Sequence, residues 1–595
     1  MKMQGIIFVV ILLATSSGIT NYVGNDYAEN DDSSKEVISL SFSFSNPTIE
    51  DGIIVDNTAS MVKNGRPILP YKTMVLKLPF GTEIEEIKVH TSEVKKIYVD
   101  KTLHIPRAIA IVGDDIESID YNYTEPYPGN WVICRAGAGI EGGEHVVFLS
   151  VHAFPVRYSM DEIEYVDKIT VDIGYTLSHK SIFKGDEYDL LIMCPDGWEN
   201  ELQTLKEHKE SHGIRTKIVT LNEIYNGEYF AVNGSDNAEK VKYFIKNAVE
   251  QWGVEYVLIV GGFGKFPMRK SWVYDESETR YWMDIPIPTD LYYADIYFAN
   301  GSFSSWDTNY NSYYGEFARE NGNETLYDVI DAYPDVYIGR LACEDINEIR
   351  VVVDKIINYE NNNGGRWFKR VVCIAGDTSP NDGYGDVDEG IETVEKSLEY
   401  LEGFRAIKLY PSLLIPELRL NPVTITAAIS IGCGFVHFDG HGNMVAWSTH
   451  PHNNEDKWIG NYVTSMVDYL RNGYKLPVIR IGGCLCGALD YEKESCLAWT
   501  FIKHDKGGGM ACLAATRLSY GYIGKYCDAG LEGYHGILFF KAYEEGCTPA
   551  EMLANAQIEY MNTIPMDFEK DYLYDFKTIE EFILFGDPTL KIGGV

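Results

Sequence analysis

Between Val37 and Ser178 apolar and polar residues alternate in short runs: VISLSFSF, TMVLKLPFG, EIKVH, KIYV, AIAIV, WVICRA, HVVFLSVHAF and KITVDIGYTL. A period of two buries one face of each run and leaves the other to solvent, and turn residues separate the runs. The spacing predicts an all-β sandwich over residues 37–180. Past the polar stretch SHKSIFKGDEYD (178–189) the period changes. LLIMCP, TKIVTL and YVLIVGGF read as buried strands, while ELQTLKEHKESHG and NAEKVKYFIKNAVEQWG carry helical spacing and end at glycine. Such alternation predicts a parallel α/β sheet, with one unit over 188–334. Its Tyr-rich part, from about Lys265 to Ala332, is expected to form long surface loops. A second α/β unit is expected over 335–595, through DVYIGRLA, the helix INEIRVVVDKIINYENN, RVVCIAGD, a helix over 390–401, AIKLY, GFVHFDGHG, PVIRIGGC, GGMACLAATR and ILFGDPTLKIGG.

The first twenty residues have a short basic start, an apolar run from Gly5 to Ala14 and then small residues. This is a secretory signal pattern, too short to span a bilayer comfortably, with an uncleaved anchor as the alternative. Residues 21–36 read as a flexible polar leader. The mature protein is expected to be secreted, with no membrane span. At 45% hydrophobic and 13% aromatic residues the 595-residue chain is ordered and globular. A formal net charge of −37 argues against nucleic acid or an anionic membrane surface as partner. Eleven cysteines leave at least one without an intramolecular partner. A free thiol in an oxidising compartment suggests chemical work.

Two candidates for that work end apolar runs beside glycine: His441 in GFVHFDGHG and Cys484 in LPVIRIGGCLCG. Strand ends of a parallel sheet deliver side chains to the edge where ligands gather. An imidazole and a thiol there are the parts of a nucleophile with its acid/base partner. The order, histidine some tens of residues before cysteine, is that of caspase-like cysteine peptidases. Cys486 is a rival nucleophile by position. A zinc shell drawn from His437, His441, His450, His452, Cys484 and Cys486 is a further alternative, though CLC lacks the usual knuckle spacing. The loop GDTSPNDGYGDVDEG (376–390) carries Asp377, Asp382, Asp386, Asp388 and Glu389. One could orient the histidine, one could meet a cationic side chain, or several could hold calcium.

At these residues the chain resembles the gingipain family of secreted cysteine peptidases, peptidase family C25. The resemblance lies in PTDLYYAD (288–295), DVYIGRLAC (335–343), VDKIINYE (353–360), CIAGD, the GHG around His441, the GGCLCG around Cys484, GGGMACLAATR (507–517) and LFGDPTL (584–590). GRPILPYKTMVLKLPFGTEI (65–84) and FPVRY (154–158) are similar to the family's propeptide. The resemblance implies a caspase-like, two-subdomain α/β catalytic domain behind a β-sandwich propeptide. It implies a zymogen whose partners are polypeptide substrates and its own propeptide. It makes Cys484 the nucleophile and His441 the general acid/base, with the backbone N–H groups of Gly442 and Cys484 as oxyanion hole. Asp377 falls where an acidic residue orients the histidine, and Asp388 where the Arg-specific members hold the substrate's basic side chain. No cofactor and no catalytic metal are required, and a structural calcium ion is compatible with the family.

Overall fold

The computed structural model describes residues 35–594 apart from residues 51, 100–102, 111–124, 161, 178–181, 276–285, 321–322, 363–364, 382, 384–386, 413 and 567–571. The expected signal segment 1–20, nearly all of the leader 21–36, and the acidic residues Asp382 and Asp386 lie outside the described residues.

Alternation in the first module produces two main antiparallel sheets, beside smaller ones of Val156–Ser159, Glu162–Tyr165 and Lys95–Tyr98 and of Thr48–Ile49 and Ile53–Ile54. One holds Lys35–Ser43, Lys168–Thr176 and Glu83–Thr91 in that order. The other holds Ala59–Met61, Leu69–Pro79, Glu144–Ala153 and Val132–Glu141. Leu40, Phe42, Ile169, Val171 and Ile173 of the first sheet pack on Leu76, Val147, Leu149 and Val151 of the second. Cross-strand pairs such as Leu149 with Leu76 fix the register, since a slip of one residue would turn every apolar side chain outward.

The rest of the chain builds one ten-stranded sheet. Its spatial order is Thr216–Thr220, Leu190–Cys194, Tyr256–Val260, Tyr337–Leu341, Phe582–Phe585, Ala511–Ala515, Val478–Gly482, Phe435–Asp439, Arg370–Ala375 and Arg405–Leu409. The first five strands run parallel to one another, as do the last five. The two blocks meet at the antiparallel pair Phe582–Phe585 and Ala511–Ala515. The boundary expected at 334/335 is therefore misplaced. Tyr337–Leu341 pairs with Tyr256–Val260 and extends the first block, which the chain's final strand rejoins. Helices cover the sheet where caps and apolar stripes allow. Asn237–Trp252 starts with the Asp236 carboxylate accepting from Glu239 N–H and stops at Gly253 with φ 81°.

The stretch expected to be loops contains a four-stranded sheet of Ile287–Pro288, Lys270–Asp275, Tyr314–Glu320 and Asn323–Leu326. Several of its aromatic residues are core, among them Tyr292, Tyr293, Tyr297 and Phe317, while Tyr310, Tyr313 and Tyr327 are exposed; Trp306 is fully buried and donates from Nε1 to Asp295 at 2.8 Å. Polar-looking rings can be buried when their hydrogen-bonding groups find partners. The β module shares the main core through Val62, Ala138, Ile140 and Phe148. It is also tied to the α/β part by a buried ion pair, Lys63 Nζ to Asp575 Oδ2 at 2.5 Å, with the ammonium 3.9 Å from the Tyr572 ring centre. Among the described residues no helix is long and apolar enough to cross a membrane, and none of the eleven cysteines is in a disulfide.

Candidate active site

The strands Phe435–Asp439 and Val478–Gly482 are parallel neighbours with Asp439 opposite Gly482. His441 and Cys484 therefore each lie two residues past a paired end, on the same sheet edge. Gly440 N–H donates to the Gly482 carbonyl at 3.1 Å and carries the pairing beyond the strands. The two backbones then touch. A Cβ on Gly442 would lie 2.5 Å from the Cys484 carbonyl oxygen and 2.5 Å from Cys486 Sγ. A Cβ on Gly483 would lie 3.0 Å from Gly442 N, and Gly483 itself has φ 154°. Leu485 follows the cysteine with φ 58°, a conformation that costs a branched side chain of order 1–3 kcal/mol and clusters at functional turns. It is pinned by its N–H to the Arg517 carbonyl at 2.9 Å.

The imidazole of His441 is held by one bond, Nε2 to the Thr378 carbonyl at 2.9 Å. A carbonyl only accepts, so Nε2 carries the proton and Nδ1 keeps its lone pair. Nδ1 is buried without a hydrogen-bond partner. Burial first, and His450 second, push the His441 pKa down to about 3, so the ring is neutral. The Trp458 ring stands edge-on to it at 4.9 Å and the His450 ring at 5.2 Å. Cys484 Sγ accepts from Ser519 N–H at 3.3 Å. The thiol in turn donates to the Ser519 carbonyl at 3.5 Å.

Thr378 is itself fixed by Glu389. One Glu389 oxygen accepts from Thr378 N–H at 3.2 Å, Thr378 Oγ1 at 3.0 Å and Ser379 N–H at 3.2 Å. The other accepts from Gly524 N–H at 2.9 Å. Burial raises the pKa of this carboxyl. Asp377 does not orient the histidine, contrary to expectation. Its Oδ1 accepts from Ser379 N–H at 3.0 Å and its Oδ2 from Asn453 N–H at 2.7 Å. The short aspartate side chain serves its own loop, and the carbonyl one residue on reaches the ring instead. Asp388 immediately precedes the helix Glu389–Glu399, with Oδ1 2.6 Å from His452 Nδ1. Thr378, Glu389 and Ser519 escaped the sequence reading. Glu389 was visible only as one acid among five, and nothing local marked it as buried.

Cys486 lies beneath the site, its Sγ against the Ala446 carbonyl at 3.8 Å and its pKa raised well above the ordinary thiol value by burial. His437 points into the fold, where Arg480 Nη1 donates to its Nε2 at 3.2 Å and to Asp439 at 3.1 Å. The mixed zinc shell of His437, His441, His450, His452, Cys484 and Cys486 is thus not assembled. Among the described residues, the three that bring possible metal-binding atoms together are Asp377, Asp388 and His452.

Gingipain R1 of Porphyromonas gingivalis is 22% identical over 596 residues, covering 92% of this chain and 51% of that protein. Gingipain R2 of the same species is 22% identical over 414 residues, covering 68% of this chain and 46% of that protein. The chain spans about half the length of the curated relatives it matches. Among solved structures, the Arg-specific cysteine proteinase gingipain R shares 19% identity at a TM-score of 0.47, over 70% of this chain and 80% of that one. The profile of peptidase family C25 matches residues 184–593, which is the whole of the ten-stranded sheet with its covering helices, and the chain therefore belongs to peptidase family C25.

Proposed function

We propose that this chain is a secreted cysteine endopeptidase made as a zymogen, with Cys484 as nucleophile and His441 as general acid/base. The observation that carries the reading is the meeting of the His441–Gly442 and Gly483–Cys484 backbones at one sheet edge. The Cys484 thiol gives its proton to His441 Nδ1, and the thiolate attacks the scissile carbonyl. Backbone N–H groups of Gly442 and Cys484 receive the oxyanion, and His441 then protonates the leaving amine. Water attacks the acyl-enzyme and frees Cys484. Thr378 keeps the imidazole in the tautomer this sequence needs, and Glu389 keeps Thr378 in place.

Latency is supported by the β module. Its strand Ala108–Ala110 pairs antiparallel with Tyr520–Tyr522, directly after the Ser519 that touches Cys484 Sγ. An extended substrate would add its backbone to an open edge in the same way. Activation follows cleavage in the polar linker near Lys180 or Lys184, of which Lys180 lies outside the described residues. Asp388 receives the Arg or Lys side chain before the cleaved bond, since a cationic partner offsets the cost of burying a carboxylate. No cofactor takes part in these steps.

The test is cleavage of a peptide library by the processed protein beside Cys484→Ala and Asp388→Ala. Cleavage after Arg or Lys is expected, absent in the first variant and without basic preference in the second. Activity surviving Cys484→Ala would remove the mechanism. Correct processing with no cleavage at all would make the chain a binding protein on a peptidase scaffold.

A further inference from the structure

Asp377, Asp388 and His452 each bring one ligand atom within 4.8 Å of the others. They come from two segments locked together: Asp377 N–H donates to the His450 carbonyl at 3.1 Å, and His450 N–H to the Asp377 carbonyl at 3.2 Å. Asp377 is 2% exposed. Its carboxylate is aimed by the N–H groups of Ser379 and Asn453, which leaves a lone pair on each oxygen. Asp388 and His452 are partly exposed, so an ion can arrive from solvent.

Two carboxylates and an imidazole are a zinc-type donor set with a fourth position left open. Donors around a tetrahedral ion stand about 3.4 Å apart. The group therefore needs adjustments on the order of an ångström: the 2.6 Å Asp388–His452 pair opens and the wider separations close. Calcium takes six to eight oxygens, whereas this group offers two carboxylates and a ring nitrogen. To bind through Nδ1 the His452 ring must hold its proton on Nε2. Asn453 Nδ2 lies 3.0 Å from Nε2, and a rotation of that amide would present Oδ1 as the acceptor such a second-layer bond requires.

We propose that Asp377, Asp388 and His452 bind a zinc-class divalent cation, and that the ion and a substrate's cationic side chain compete for Asp388. The binding stands on the geometry alone, whereas the competition rests on the proposed role of Asp388. Because Asp377 adjoins Thr378, whose carbonyl holds His441, the ion sits beside the segment that positions the imidazole.

The experiment is titration of the processed Cys484→Ala protein with zinc chloride by calorimetry, the substitution removing the competing catalytic thiol. One equivalent should bind, and affinity should fall by about 100-fold or more in Cys484→Ala/His452→Ala and in Cys484→Ala/Asp388→Asn. Stoichiometry and affinity indifferent to both second substitutions would overturn the site. In the active protein, zinc inhibition should weaken as an Arg-containing peptide substrate is raised. Inhibition independent of substrate would overturn the competition while leaving the site. A protein that binds zinc as expected but cleaves nothing would instead count against the peptidase reading.

Discussion

Gly442→Ala adds a single methyl at the tightest point of the site. The new carbon would sit 2.5 Å from the Cys484 carbonyl oxygen, 2.5 Å from Cys486 Sγ and 3.0 Å from the Gly483 carbonyl carbon. Two of the three obstacles are backbone, so the strand ends must part by about half an ångström or more, at a stability cost of about 1–3 kcal/mol. That displacement moves the Gly442 N–H from the proposed oxyanion position. Loss of one such donor lowers kcat by about 10²–10³. The assay is kcat and KM of the processed variant on an Arg-containing peptide, with a melting curve to show that it is folded. Adding Cys486→Ala removes the thiol contact but not the carbonyl contact, so the double variant should recover stability in part and activity hardly at all. A folded Gly442→Ala enzyme keeping more than half the wild-type kcat would refute the oxyanion assignment.

Other consequences follow from the same structure. Glu389→Gln replaces an acceptor of four bonds, three on one oxygen and one on the other, with a mixed group, which loosens Thr378. A fall in kcat of about 10-fold with KM nearly unchanged is expected, and an unaltered kcat in the folded variant would end its role in positioning. Lys63→Ala leaves Asp575 buried without its cation, a loss of about 3–5 kcal/mol. The melting temperature of the full chain should drop while that of the processed enzyme lacking the β module, which contains no Lys63, stays as in wild type; a full chain melting as before would contradict the proposed tie. His535 is fully buried with neither ring nitrogen partnered, and burial lowers its pKa to about 3. The unfolded chain, with its histidine near pH 6.5, then binds more protons between about pH 3 and 6.5, so this group removes stability as pH falls through that window. The penalty reaches about 2 kcal/mol at pH 5. Urea unfolding of His535→Phe at pH 7 and pH 5 should show a correspondingly smaller loss, and identical losses in the two proteins would dismiss the assignment.

Much of the site was legible because its signals are local. A buried strand closed by Gly440-His441-Gly442 and another closed by Gly482-Gly483-Cys484 announce two side chains at a sheet edge. What holds those side chains was not legible. The expectation that Asp377 orients His441 followed from the residue type at that position, but one peptide carbonyl, indistinguishable in sequence from any other, makes the bond. Glu389 reaches Thr378 across its own loop, 11 residues away, and Ser519 meets Cys484 from 35 residues away, and neither closure is written in the local pattern.

The sequence by itself marked the β sandwich, helices such as Asn237–Trp252 and Ile346–Asn361, the apolar runs of the large sheet and the residues that could do chemistry, because periodicity and capping depend on neighbours a few positions away; the helices Leu531–Lys541, Pro549–Thr563 and Leu573–Glu581 went unread. Only the tertiary structure decided that Tyr337–Leu341 joins the first parallel block, that Phe582–Phe585 returns to separate the blocks, and that the Tyr-rich stretch folds into a sheet around Trp306. It alone brought His452 to Asp377 and Asp388. Such choices depend on which distant surfaces can be buried together, and that free energy belongs to pairs of segments that no local pattern records.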